Sequence, residues 1–230
     1  MIDGKIKIVR NGPYIVSGNV PLFEKVITAR RNGYVMTDGR ILPQANVYSL
    51  CRCGKTRTPP FCDGTHECVH FDGTETASRE NFTDRLEGML EGPTLNLLDD
   101  GRCAYARFCH RDSGNVWDLI RKSDDPECRA EAIIAAYECP SGRLVATDKS
   151  GKPYEPDYEP SIEILQDAGQ GLSGPIFVKG MIPVEGADGH AYEVRNRVTL
   201  CRCGKSRIKP FCDASHISWE YKEARPEFGE

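Results

Sequence analysis

The sequence has no apolar run approaching the roughly 20 residues that a membrane-spanning helix requires, so no membrane partner is expected. Its opening stretch, MIDGKIKIVRNGPY, has neither an apolar core nor a small-residue cleavage site, and no signal peptide is expected. Basic excess is also missing: 30 Lys and Arg stand against 34 Asp and Glu, a formal net charge of −4. Binding a phosphate backbone calls for a basic surface, so nucleic acid is not an expected partner. Neither Gly-x-Gly-x-x-Gly nor a nucleophile with a nearby base motif occurs, which favours a carrier over a substrate-converting enzyme.

What is plentiful is cysteine, with eleven residues in 230. The reading places the chain in the cytoplasm, a reducing compartment where disulfides are rare and clustered cysteine with histidine points to metal binding. The odd count argues against a disulfide scaffold.

One pattern is written twice. CRCGKTRTPPFCDGTH supplies Cys51, Cys53, Cys62 and His66, and CRCGKSRIKPFCDASH supplies Cys201, Cys203, Cys212 and His216. The repeat extends upstream, where Gly12-Pro13 matches Gly174-Pro175, Gly18 matches Gly180 and Pro21 matches Pro183. YIVS, IFVK, NVYSL and RVTL are β-branched or aromatic runs bounded by turn residues, and each reads as a strand. Asn32-Gly33 reads as a turn in the longer first copy. Duplicated small β units are expected to pack against each other, since neither buries its apolar face alone.

A Cys-x-Cys pair sets two thiolates together, and a Cys-Asp-x-x-His segment follows. Asp63 and Asp213 are placed to cap a helix, whose first N–H groups would favour a negatively charged centre. Zinc knuckles normally use Cys-x2–4-Cys, so the spacing fits zinc poorly and leaves iron–sulfur as the leading chemistry. Lys55 and Lys205 follow each second cysteine and are candidates to offset cluster charge; Arg52 and Arg202 are open to the same reading.

Both blocks resemble the CDGSH (NEET) family, whose motif is Cys-x-Cys-x2-Ser/Thr-x3-Pro-x-Cys-Asp-Gly-Ser/Ala/Thr-His. The first block fits throughout. The second departs once, with Ala214 in place of glycine, and a normal helical backbone angle is expected there. The resemblance implies two [2Fe-2S] clusters. In the first, Cys51 and Cys53 would hold one iron and Cys62 and His66 the other; Cys201, Cys203, Cys212 and His216 would do the same in the second. Histidine in place of a thiolate makes a cluster less negative and raises its potential.

The middle region differs in character. Residues 112–123 read as a short helix with Trp117 and Ile120 inward. A second helix should begin at Asp125 as N-cap and Pro126 as first residue, burying Ala130, Ile133, Ile134 and Tyr137. Pro140 ends it after Cys139. Residues 150–163, with three prolines, read as an extended connection. Cys103-x5-Cys109 with a distant Cys139-Pro140 resembles single-cluster ferredoxins and a divergent mono-cluster domain, implying a [3Fe-4S] or [4Fe-4S] cluster on these three cysteines. Cys128 lies about 16 Å from Cys139 along the helix, too far for one small cluster. It reads as a free thiol, and His110 as a polar loop residue.

The expected fold class is α+β: two small β-rich CDGSH modules, residues 1–70 and 161–230, packed as a pseudo-symmetric pair, with a helical ferredoxin-like insertion at 71–160. The expected protein is a monomer acting in electron transfer with a redox protein. Cluster donation to an apo-acceptor protein, redox or pH sensing, and a zinc-stapled interaction module are the alternatives.

Overall fold

Short β-branched and aromatic runs between glycine and proline turns build two sheets, and those sheets position the cysteine loops. The computed structural model describes residues 4–31 and 33–224. In the first third of the chain lie β1 (Lys5–Ile8), β2 (Tyr14–Ser17), β3 (Leu22–Arg30), β4 (Gly33–Asp38), β5 (Val47–Leu50) and the single-turn helix α1 (Thr65–Cys68). The middle third holds β6 (Gly88–Glu91), β7 (Leu95–Asp99), β8 (His110–Arg111), β9 (Gly114–Asn115), α2 (Val116–Arg121), α3 (Pro126–Tyr137) and β10 (Leu144–Asp148). The last third holds β11 (Ser161–Asp167), β12 (Leu172–Lys179), β13 (Val184–Glu185), β14 (Arg197–Leu200) and the single turn α4 (Ser215–Ser218).

The four strands expected from sequence appear as β2, the end of β12, β5 (which starts one residue after Asn46) and β14. Pairing between β3 and β4 places Arg30 opposite Gly33; Asn32 of the expected turn lies outside the described residues.

The sheets exchange strands. One sheet runs β13-β1-β2-β5 and the other β14-β12-β11-β3-β4. β13, from the second copy, pairs in parallel with β1 of the first, while β3, from the first copy, pairs in parallel with β11 of the second. The glycines Gly18 and Gly180 that follow β2 and β12 both adopt positive φ, 91° and 76°, turning the chain out of its own sheet. A single core joins the sheets, with Ile6, Tyr14 and Val16 packed with Ile162, Ile164 and Leu200.

The sheets differ in what covers them. In β1 exposed and buried residues alternate, as in a strand with one wet face. β12 and β14 are buried nearly throughout. The cover is the segment before β8: Ala106 and Phe108 pack on Ile27, Leu165 and Phe177.

The insertion is as much sheet as helix, which corrects the helical expectation. It forms an antiparallel sheet β10-β7-β6 with α2 and α3 packed on it. Asp125 does cap α3, accepting from the N–H groups of Glu127 and Cys128, with Pro126 at the first position. The buried face of α3 is Ala132, Ala135 and Ala136, whereas Ala130 is exposed and Ile133, Ile134 and Tyr137 are half-buried. In α2, Ile120 is buried and Trp117 half-buried. Among the described residues no helix is long and apolar enough to cross a membrane.

Candidate metal centres

Each cysteine loop is closed by the same hydrogen bonds. The N–H of Cys51 donates to Pro60 O (2.9 Å) and that of Cys62 to Ser49 O (2.9 Å), so the loop doubles back beside β5 and brings Cys62 alongside Cys51. Cys201 and Cys212 repeat this with Pro210 O (2.8 Å) and Thr199 O (2.9 Å). The hydroxyls of Thr56 and Ser206 donate to Phe61 O and Phe211 O, both at 2.7 Å, which explains a small hydroxyl residue at that position. Asp63 and Asp213 each accept from two backbone N–H groups, of Arg57 and Thr65 and of Arg207 and Ser215, tying the loop's start to its end. The Thr65 side chain, followed by the Arg57 N–H, holds the Asp63 carboxyl well below the usual carboxylate range.

The Asp residues do not cap helices as the sequence suggests. The N-cap positions belong to Gly64 and Ala214, both left-handed with φ 86° and 66°, and the helices that follow are single turns. Ala214 therefore does not take the helical angle expected of it. It sits where a side chain costs roughly 1–2 kcal/mol of backbone strain.

The ligand candidates stand in pairs. Cys51 Sγ and Cys53 Sγ are 3.6 Å apart, as are those of Cys201 and Cys203. Cys62 Sγ lies 3.3 Å from His66 Nδ1, and Cys212 Sγ 3.5 Å from His216 Nδ1. Two ligands on one tetrahedral metal, with bonds of about 2.3 Å to sulfur and about 2.0 Å to nitrogen, stand roughly 3.5–3.8 Å apart. Three of the four pairs match that bite, and Cys62–His66, at 3.3 Å, is slightly tighter. Among the described residues, no three of His, Cys, Asp or Glu converge as a site for a single metal ion. The donor set thus fits two metals per loop, each held by one pair.

The loop backbone favours thiolate. At Cys51 the neighbouring Cys53, followed by the N–H groups of Thr56, Gly54 and Cys53, draws the thiol down to about 6 against the opposing effect of burial. Cys201 falls to about 7 through Cys203 and the N–H groups of Ser206 and Gly204. The second thiol of each pair is pushed up, first by its partner and then by burial. Burial and then Arg202 lower His216 to about 4, which keeps its imidazole neutral, the form that ligates.

The two loops touch. A Cβ placed on Gly54 would lie 2.6 Å from Cys203 O, and one on Gly204 2.7 Å from Cys53 O. Tyr14 reaches from β2 into the other copy, its hydroxyl within 2.8 Å of Cys201 O and 3.0 Å of Pro210 O. Tyr221 packs with Cys201 and Cys203. The copies are not equally sheltered: the His216 residue is 4% exposed, whereas the His66 side chain is 16% exposed and borders an open groove with Arg10, Glu67 and His70.

Lys55 and Lys205 give their backbone N–H groups to Cys53 and Cys203, while their side chains are exposed, that of Lys205 over the Trp219 ring at 4.5 Å. The buried cations are instead Arg52 and Arg202, each 2% exposed.

In the insertion, Cys103 and Cys139 are the cysteines that influence Cys109, though among the described residues the three do not converge as a single-ion site. Burial, then Cys139 and Cys103, push the Cys109 thiol up to about 12. Cys128 feels Asp125 and its own helix instead, and packs at the edge of the insertion core. This group neighbours the second copy: Cys103 is among the charges that raise Cys212. Arg197, at the start of β14, is 1% exposed and donates to Ala136 O, Tyr137 O and Cys139 O at 2.7–2.9 Å and to Glu155. Arg197, Tyr14 and Glu223, which pairs with Arg202, escaped sequence reasoning. A buried arginine at a strand start has no local pattern, although the alignment of Gly73 with Glu223 was visible.

The family model described as iron-binding zinc finger, CDGSH type, matches residues 11–67 and 173–217. A second, described as divergent 4Fe-4S mono-cluster, matches residues 91–149. No significant match was found among curated proteins or among solved structures. The chain is accordingly an iron–sulfur protein with two CDGSH regions and a divergent 4Fe-4S mono-cluster region between them.

Proposed function

We propose that the protein acts in electron transfer. It would hold two [2Fe-2S] clusters, on Cys51, Cys53, Cys62 and His66 and on Cys201, Cys203, Cys212 and His216. A third centre, [3Fe-4S] or [4Fe-4S], would sit on Cys103, Cys109 and Cys139. The observation that carries this reading is the division of each CDGSH set into two pairs at the bite of a tetrahedral metal. The Cys-x-Cys spacing also fits zinc poorly, since zinc knuckles use Cys-x2–4-Cys.

When bound, such clusters take up and release single electrons. The chain's own contribution is to hold thiolates with backbone N–H groups, to keep His216 neutral, and to exclude water from the second site. The two copies would work as a pseudo-symmetric pair within a monomer. The influence of Cys103 on the Cys212 thiol supports a relay confined to one chain. The partner would be a redox protein docking near His66, the more accessible histidine.

The test is anaerobic purification with iron and acid-labile sulfide analysis. Iron with sulfide and red-brown colour are expected; zinc without sulfide overturns the reading. An EPR spectrum of the protein as isolated then reports the third centre, since oxidised three-iron clusters are paramagnetic and oxidised four-iron clusters silent. The exposure of His66 favours a second reading, cluster donation, which predicts transfer to an apo-ferredoxin without facile reduction by a reductase.

A further inference from the structure

The residue after the first cysteine is arginine in both loops, and both arginines are buried. Their counter-charges differ. Arg52 donates only to backbone carbonyls: Val9 O at 3.0 Å, Gly12 O at 3.2 Å and Gly73 O at 2.8 Å. It lies over the rings of Tyr14 and Phe71, and among the described residues no carboxylate pairs with it. Arg202 donates to Gly174 O at 2.7 Å and Leu165 O at 2.9 Å, and its third arm pairs with the Glu223 carboxylate. Glu223 is itself 9% exposed and is also held by Gln166 at 2.8 Å and by Arg40. Arg40 in turn pairs with buried Glu24. Two cations and two carboxylates thus balance around Arg202, whereas among the described residues Arg52 has no carboxylate partner; Glu67, 4.0 Å from His66, is 83% exposed and screened by solvent, and Ile217 stands in its place in the second copy.

For the two buried arginines, the difference in counter-charge comes down to one position. Numbered from each loop's first cysteine, Gly73 stands where Glu223 stands. A carboxylate beside a cluster opposes the arrival of an electron, and an uncompensated cation favours it. Burial acts in the same direction, because a sheltered negative cluster is harder to charge further. The insertion's Arg107, which faces His216, adds no net charge at this point, because it forms a bidentate pair at 2.7 and 3.0 Å with Asp167 of β11.

We infer that the Gly73/Glu223 difference splits the two CDGSH sites in potential, the N-terminal site being the easier to reduce and Glu223 holding the C-terminal site lower. Glu223 and Arg52 are tuning residues acting through charge; neither is a ligand. This inference rests on the reading that both ligand sets hold [2Fe-2S] clusters. It also fixes an order: the site neighbouring the insertion is the lower in potential, and the site open to solvent the higher.

The experiment is a redox titration of the anaerobically purified protein followed by EPR, with iron, sulfide and melting temperature measured in parallel. Two separate [2Fe-2S] steps are expected. Glu223→Gln keeps a hydrogen-bond acceptor for Arg202 and removes the charge; it should move the lower step upward and leave the upper step in place. Gly73→Glu should do the reverse, lowering the upper step. There an added Cβ meets the edge of Phe71 at 2.8 Å, a flexible side chain that can move aside. If Gly73→Glu does not fold, Glu223→Gln alone decides. Coincident steps in the unaltered protein, or a lower step indifferent to Glu223→Gln, overturn the inference while leaving the cluster reading intact. Absence of iron and sulfide overturns both.

Discussion

The N-terminal and C-terminal cysteine loops share their closing hydrogen bonds and ligand spacings but not their surroundings. The first lies on a sheet with one wet face, its histidine bordering an open groove. The second lies on a sheet covered by both its partner and the insertion, its histidine buried and its arginine neutralised. Duplication thus preserved the cage and varied the medium around it. In iron–sulfur proteins, charge, burial and hydrogen bonds to sulfur are what set potential and lability.

The severest test of the comparison is to detach the insertion from the second copy. Arg197→Met leaves three buried carbonyls at the end of α3 without their donor and Glu155 without its partner. We expect a loss of about 3–5 kcal/mol in denaturant unfolding, with the third centre lost before the CDGSH clusters in iron and EPR analysis. Retention of all three centres at unaltered stability would show that Arg197 does not join the regions.

Next comes the seam between the loops, where the copies should behave alike. Gly54→Ala and Gly204→Ala each put a Cβ against a backbone carbonyl at positive φ, 71° and 77°. Each should cost about 2–4 kcal/mol and reduce the iron content of both CDGSH sites, because either side chain wedges the same contact. Loss at one site only would break the equivalence.

Acidification should separate the copies again. The depressed value of His216, about 4, means that its contribution to stability is complete above about 6.5 and is lost as pH falls towards 4. Solvent reaches the His66 side chain more readily. Visible absorbance followed from neutral to acid pH should therefore fall in two phases, the N-terminal centre bleaching first. A single phase would show that exposure of the histidine does not govern release.

The smallest effect lies at the helix caps. Ala214→Gly should stabilise the protein by about 0.5–1 kcal/mol, and Gly64→Ala should destabilise it by about 1 kcal/mol, both read by thermal unfolding. Equal and opposite shifts would mark the one place where the second copy is the more strained.

Legibility from sequence followed the range of the interactions. The strands before each Cys-x-Cys and the cap of α3 are local, set by β-branched runs and by Asp125-Pro126, and they appear where expected. The buried face of α3 differs from the one its helical spacing suggests, because close packing admits Ala132, Ala135 and Ala136 rather than the larger Ile133, Ile134 and Tyr137. Ala214 was misjudged because a single residue's backbone angle has no periodic signal. The strand exchange left no local trace, since nothing in the residues of β3 or β11 names the sheet each joins. The twice-written cysteine and histidine pattern could be read because it is local, and the CDGSH family model matches both regions that carry it. The charges that distinguish their surroundings could not, because Arg197 and Glu223 act across the fold.

Leu22 finds its ladder partner in Ile162, and Ile6 finds Val184. On a ribosome, the first cage therefore emerges well before the strands that seal its foundations. A newborn N-terminal half would present unpaired sheet edges and loose thiols together, so metallation is best timed after the last strands have been released. Loading assayed on stalled nascent chains of increasing length should show iron retained only once the residues of β14 have left the exit tunnel.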